Sequence, residues 1–217
     1  MNPKIAPDQL SVYAVSDRRW LHGGQTLHAV VEELLQNGVT AVQVREKSLG
    51  DPQFLDEARD LMELCRRHRA LFIVNDNAAI AEALHCGLHL GQGDMPLAEA
   101  RRRLGQDAVI GISCSTVAEA RLAAEQGADY LGVGAVFPTG TKSDAAAIPM
   151  AVLAGICRAV EIPVVAIGGI TLDNAASLLP SGIAGWAVVS ALFAATQPGQ
   201  AAAAFSRIWN NRDKMES

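Results

Sequence analysis

Short apolar, β-rich runs alternate with amphipathic stretches along the whole chain, and the pair recurs eight times. The runs that predict strands are 11–16, 41–45, 71–75, 87–90, 109–112, 130–134, 164–167 and 185–188. Between them, stretches such as 26–36, 52–68 and 117–126 carry helical periodicity. In the first, Leu27, Val30, Val31, Leu34 and Leu35 fall on one face. Asn37-Gly38 and Gln126-Gly127 read as helix stops, and Asp51-Pro52 as a cap followed by a first-turn proline. Runs such as VVAIG are apolar on both faces, as strands buried in a parallel sheet must be. With no Pro- or Ser-rich linker between units, the pattern predicts one α/β domain over 1–217, a (β/α)8 TIM barrel. The alternative, an open doubly wound sheet, requires edge strands more polar than the first or last run.

A length of 217 residues suits a single barrel, and a hydrophobic content of 50 % allows a sizeable core. The net charge of −5 argues against a general nucleic-acid or membrane binder. It leaves room for a small anionic substrate wherever a few Lys and Arg converge. The opening MNPKIAPDQL has no long apolar run, which predicts no signal peptide, and no later segment predicts a membrane span. Cys65, Cys86, Cys114 and Cys157 are scattered without a CxxC pair, the usage of reduced thiols in a cytoplasmic protein. The pattern says nothing about oligomeric state.

Barrels of this kind collect function at the C-terminal strand ends, so the polar residues there are the informative ones. Asp17 follows the first run. The second ends in Gln43-Val44-Arg45-Glu46-Lys47, and alternation sends Gln43, Arg45 and Lys47 the same way. Two cations and an amide aimed into one mouth suit a diphosphate; a solvated strand end is the plainer alternative. Asn75-Asp76 closes the third run, and Asp94 follows the fourth. Carboxylates on neighbouring strand ends suit Mg²⁺, which takes few carboxylates alongside water and phosphate oxygens. Asp76 equally suits a helix N-cap, and Asp94 a turn. His85 and His89 have helical metal-pair spacing, but GLHL reads as strand, against a zinc site. No Walker loop or dinucleotide fingerprint is present. The sixth run leads into Phe137-Pro138-Thr139-Gly140-Thr141-Lys142, whose hydroxyls and ammonium can grip a phosphate. The segment on to Ile148 is long enough for a lid. Gly168-Gly169 and Val189-Ser190 end the last two runs, where such barrels often bind phosphate; close packing is the other reading of the glycines.

Together these stations resemble the thiamine phosphate synthase family. The blocks that carry the resemblance are VQVREK, VNDN, HLGQGD, GIS, ADYLGVGAVFPTGTK, VVAIGGI and AVVSA, in that order. The resemblance implies a (β/α)8 barrel transferase of thiamine biosynthesis. Such an enzyme condenses hydroxymethylpyrimidine diphosphate with hydroxyethylthiazole phosphate and releases diphosphate, with Mg²⁺. It assigns Gln43, Arg45, Lys47, Asn75, Ser113 and Lys142 to the pyrimidine diphosphate, with Arg45, Lys47 and Lys142 catalytic. It assigns Asp76 and Asp94 to Mg²⁺, and Thr139, Thr141, Gly169, Val189 and Ser190 to the thiazole phosphate. The implied partners are these small molecules, not nucleic acid or membrane.

Two departures stand out. Where many relatives have a His two residues after the serine of the GxS block, this chain has Ser115. Where many have a glycine between Lys142 and the next helix, the stretch here reads Ala147-Ile148-Pro149-Met150. A related thiazole tautomerase and a non-catalytic phosphate-ligand-binding barrel are the competing functions. The tautomerase does not need Gln43, Lys47, Asp76 and Asp94 as a set. A binder would have lost the metal and diphosphate stations.

Overall fold

The computed structural model describes residues 4–6, 8–139 and 147–214. Eight parallel strands close into a barrel in sequence order: β1 (Val12–Val15), β2 (Ala41–Val44), β3 (Leu71–Asn75), β4 (Gly87–Leu90), β5 (Ile110–Cys114), β6 (Tyr130–Gly134), β7 (Val164–Ile167) and β8 (Gly185–Val188). β8 pairs back onto β1 through Tyr13 and Ala187. The predicted runs coincide with these strands to within two residues at every end, and closure excludes the open sheet.

The helices are α1 (Leu27–Gln36), α2 (Asp51–Arg67), α3 (Ala78–Leu84), α4 (Leu97–Leu104), α5 (Val117–Glu125), α6 (Met150–Ala159), α7 (Ser190–Phe193) and α8 (Pro198–Asn210). Leu27, Val30, Val31, Leu34 and Leu35 are all buried, so the apolar face of α1 lies on the barrel as its periodicity predicts. Gly38 and Gly127 stop α1 and α5 in the left-handed region, at φ +99° and +90°. At α2 the cap is Gly50 rather than Asp51, which forms the first turn with Pro52. After β7 the chain makes a 3-10 helix, Ala175–Ser181, instead of an α-helix. Pro180 inside it has no N–H to continue an α-helical ladder.

Strand alternation splits the apolar residues into two cores. One fills the layer between strands and helices. The other fills the barrel and includes Tyr13, Ile73, Tyr130 and Val165. Two phenols in the interior are unusual cargo for an apolar core, because each hydroxyl needs a partner.

Candidate active site

One cavity opens at the C-terminal end of the barrel. Gln43, Arg45, Asn75 and Ser113 line it from β2, β3 and β5; Thr139, Gly169, Val189 and Ser190 line it from the opposite strands. β2 stops at Val44, so alternation no longer governs the residues beyond it. There, Glu46 organises the turn. Its Oε1 accepts from the backbone N–H groups of Lys47 (2.7 Å) and Ser48 (2.6 Å) and from the Ser48 hydroxyl (2.6 Å). Its Oε2 accepts from Arg18 at 2.9 Å. Burial works against this charge, but the Ser48 donors, Arg18 and the Lys47 N–H hold the carboxyl down to about 2. Arg45 is tied back by its N–H to the Ser16 hydroxyl (2.9 Å). Lys47 stands exposed on the turn and, among the described residues, is not one that lines the cavity.

Asp76 and Asp94 are brought into direct side-chain contact from neighbouring strand ends. Both stand exposed to solvent. Partial desolvation and the Asp94 carboxylate push the Asp76 carboxyl up to about 6, against donation from Asn75 and the charge of Arg45. Asp76 does not cap α3; Asn77 does, accepting from the Ile80 N–H at 3.1 Å. Asp76 instead sits at φ +61°, a left-handed conformation that costs about 1 kcal/mol outside glycine. Asp94 does serve its turn, accepting from the Gly91 N–H at 2.7 Å, and also faces Asp76. Like charges held together fit a hard cation. Among the described residues no cluster of three or more His, Cys, Asp or Glu could hold a metal. A cation on this pair would therefore draw its other ligands from water or phosphate oxygens, the coordination Mg²⁺ favours.

Across the cavity, Gly168 and Gly169 adopt φ +100° and +66°. A Cβ on Gly169 would come within 2.8 Å of Phe137 Cβ, and one on Gly168 within 2.6 Å of Ala135 Cβ. The close packing of the strand-six loop thus demands these glycines, and Gly169 also lines the cavity. Ser190 begins the short α7 beside Val189. Thr141 and Lys142 lie outside the described residues.

Residues 12–192 match the family described as thiamine monophosphate synthase. The chain belongs to the thiamine monophosphate synthase family. It is 46 % identical over 183 residues to the thiamine-phosphate synthase of Clostridium botulinum, covering 83 % of this chain and 89 % of that protein. It is 45 % identical over 207 residues to the thiamine biosynthesis bifunctional protein ThiM/ThiE of Symbiobacterium thermophilum. That match covers 93 % of this chain but spans only 42 % of the longer relative. The solved thiamine phosphate pyrophosphorylase of Pyrococcus furiosus superposes with a TM-score of 0.88 at 37 % identity, covering 95 % of this chain and 98 % of that one.

In this member of the thiamine monophosphate synthase family, position 115 at the end of β5 carries a serine rather than an imidazole. The Ser115 hydroxyl donates to Glu119 at 3.0 Å. Cys114 is buried, and burial, with Glu119, pushes its thiol up to about 12. His85 ends α3 in a left-handed cap while His89 lies on β4, so they form no helical pair. Sequence reasoning passed over His89 as a cavity residue. It lines the floor with Tyr13, and Tyr130 lies against its ring. The available signal was polar rings at inward strand positions otherwise filled by aliphatic residues.

Proposed function

We propose that this chain is a thiamine phosphate synthase. It joins hydroxymethylpyrimidine diphosphate to hydroxyethylthiazole phosphate, or to its carboxylated tautomer with loss of CO₂, and releases diphosphate. The observation that carries this reading is that two sets of residues suited to holding anions line opposite sides of one cavity. Gln43, Arg45 and Asn75 stand beside the Asp76–Asp94 pair on one side; Thr139, Gly169, Val189 and Ser190 stand on the other. A binder of one phosphate ligand needs only one such set.

The chemistry suits these residues. The methylene C–O bond to diphosphate breaks, the ring amino group stabilises cationic character at that carbon, and the thiazole nitrogen lone pair forms the new C–N bond. Arg45 and Lys47, with Lys142 by sequence, would stabilise charge on the departing diphosphate. Asp76 and Asp94 would hold Mg²⁺, which when bound adds positive charge against the same group. Thr139, Thr141, Gly169, Val189 and Ser190 would hold the thiazole phosphate so that its nitrogen meets the carbon. Ser113 and Gln43 would orient the pyrimidine. No protein nucleophile is required, and the buried Cys114 thiol is a poor one. The reading includes a single catalytic barrel unit working in the cytoplasm on small molecules, without nucleic acid or membrane. Among the described residues no helix is long and apolar enough to cross a membrane.

The test supplies both substrates with Mg²⁺ and follows diphosphate release and thiamine phosphate formation. Condensation is expected. Aromatisation of carboxythiazole phosphate alone, with no thiamine phosphate when the pyrimidine substrate is added, would overturn the reading in favour of a tautomerase. Ser115, held by Glu119, is no general base for a ring proton, and the His89 ring is engaged by Tyr130 and Ser113, so little aromatisation is expected.

A further inference from the structure

A hydrogen-bond chain crosses the barrel interior beneath the cavity and links five strands. Gln43 Nε2 donates to the Tyr13 hydroxyl at 2.7 Å. The Tyr13 and Tyr130 hydroxyls are 2.9 Å apart, and Tyr130 lies 2.8 Å from His89 Nδ1. His89 Nε2 lies 3.0 Å from Ser113 Oγ. Proton counting sets the direction. An amide nitrogen only donates, so Tyr13 accepts from Gln43 and gives its single proton to Tyr130. Tyr130 then gives its own to His89 Nδ1. The imidazole is therefore the Nε2–H tautomer, and Nε2–H donates to Ser113. The reverse direction would make the Tyr13 oxygen accept twice and leave its proton buried without an acceptor, a desolvated donor that the fold would have to carry unmatched. Burial raises both phenols, so neither loses its proton near neutrality.

The strands are cut to fit this chain. A Cβ on Gly111 would collide with the Tyr130 ring, and one on Gly132 would stand 3.0 Å from His89 Cε1. Those two glycines clear the space that two of the rings occupy. At the far end the Ser113 oxygen is already an acceptor for His89, so its own proton is left for the cavity it lines. At the near end the Gln43 Nε2 is engaged, leaving Oε1 as an acceptor.

We propose that Tyr13, Tyr130 and His89 are positioning residues whose one-way hydrogen-bond chain presents Ser113 as a donor to a ring nitrogen of the pyrimidine substrate and Gln43 as an acceptor for its amino group. The inference rests on the synthase reading for its substrate but not for its geometry. Removing one such bond is worth about 1.4 kcal/mol, so Tyr130→Phe and Ser113→Ala should each raise the KM for the pyrimidine diphosphate ~10-fold and leave that for the thiazole phosphate unchanged.

Because Tyr130 acts through Ser113, the double variant should be no worse than Ser113→Ala alone. Penalties that multiply, or an unchanged KM in Tyr130→Phe, would overturn the proposal. Should Tyr130→Phe not fold, Tyr13→Phe breaks the chain one link away, and loss of pyrimidine affinity is again expected. Ring-nitrogen NMR on the unaltered protein, without substrates, should show His89 protonated at Nε2 and accepting at Nδ1; the opposite tautomer sinks the direction. A protein with the expected tautomer that forms no thiamine phosphate would defeat the synthase reading and leave the hydrogen-bond chain standing.

Discussion

At the N-terminal end of the barrel the Asp129 carboxylate accepts from Arg101 at 2.6 Å, from Lys4 at 2.9 Å and from the Ile110 N–H at 2.7 Å. Arg101 also donates to the carbonyls of Ala108 (2.6 Å) and Gly127 (2.9 Å). At the C-terminal end Asp76 meets Asp94, another carboxylate, on a strained backbone. One end closes these polar groups onto partners within the chain. The other spends folding free energy on like charges that Asn75 and Arg45 offset only in part. The difference separates what holds the barrel together from what it presents to a ligand, since electrostatic strain of this kind collects at functional sites.

The largest effect should come from breaking the closed end. Arg101→Met leaves the mostly buried Asp129 carboxylate to Lys4 and the Ile110 N–H and takes the donor from the Ala108 and Gly127 carbonyls. It should cost about 3 kcal/mol in urea unfolding, while turnover per folded molecule stays near that of the parent. A loss of turnover without loss of stability would erase the distinction between the two ends.

The open end should respond the other way. Asp94→Asn keeps an acceptor for the Gly91 N–H but removes the charge, and should cut condensation ~10²-fold or more with the fold intact. Full activity of this variant, or of the parent in a chelator, would exclude the metal role.

The smallest effect is on stability and sharpens the comparison most. The folded Asp76 carboxyl lies at about 6, above its unfolded value of 3.8. Its ionisation therefore costs nothing below the unfolded value, and the full penalty is present above about pH 6. Asp76→Asn, which tolerates the left-handed backbone, should be more stable than the parent in chelator at about pH 8. The gain should be under ~1 kcal/mol, since the group stands open to solvent screening, and should vanish at low pH. Adding Mg²⁺ should raise the melting temperature of the parent and not that of the variant. A variant less stable than the parent at high pH would mean the carboxylate is already satisfied within the chain.

The strands were legible because each is a short local run whose burial on both faces shows in consecutive residues, as in VVAIG. The glycine stops of α1 and α5 were legible for the same reason, a local demand for positive φ. The 3-10 helix at Ala175–Ser181 was not anticipated, although Pro180 inside it withholds a donor from any α-helical ladder. The exposed place of Lys47 on a turn was not legible, because alternation was extended past the end of β2 into a turn built by Glu46. The two alternative roles set against Asp76 and Asp94 were resolved only in space. Asn77 took the cap that Asp76 could have held, while Asp94 holds its turn and faces Asp76 at once.

By itself the sequence determined the eight strands, the amphipathic helices between most of them and which polar residues end each strand. Those come from periodicities that act over a few residues. Tertiary structure alone decided that Asp76 and Asp94 touch, and that Gln43, Tyr13, Tyr130, His89 and Ser113 form one hydrogen-bonded chain. Of the four links in that chain, only those between Gln43 and Tyr13 and between His89 and Ser113 join adjacent strands; the Tyr13–Tyr130 and Tyr130–His89 links cross the barrel. Barrel closure, a non-local property, brings such side chains within about 3 Å of each other, and no spacing along the chain encodes that distance.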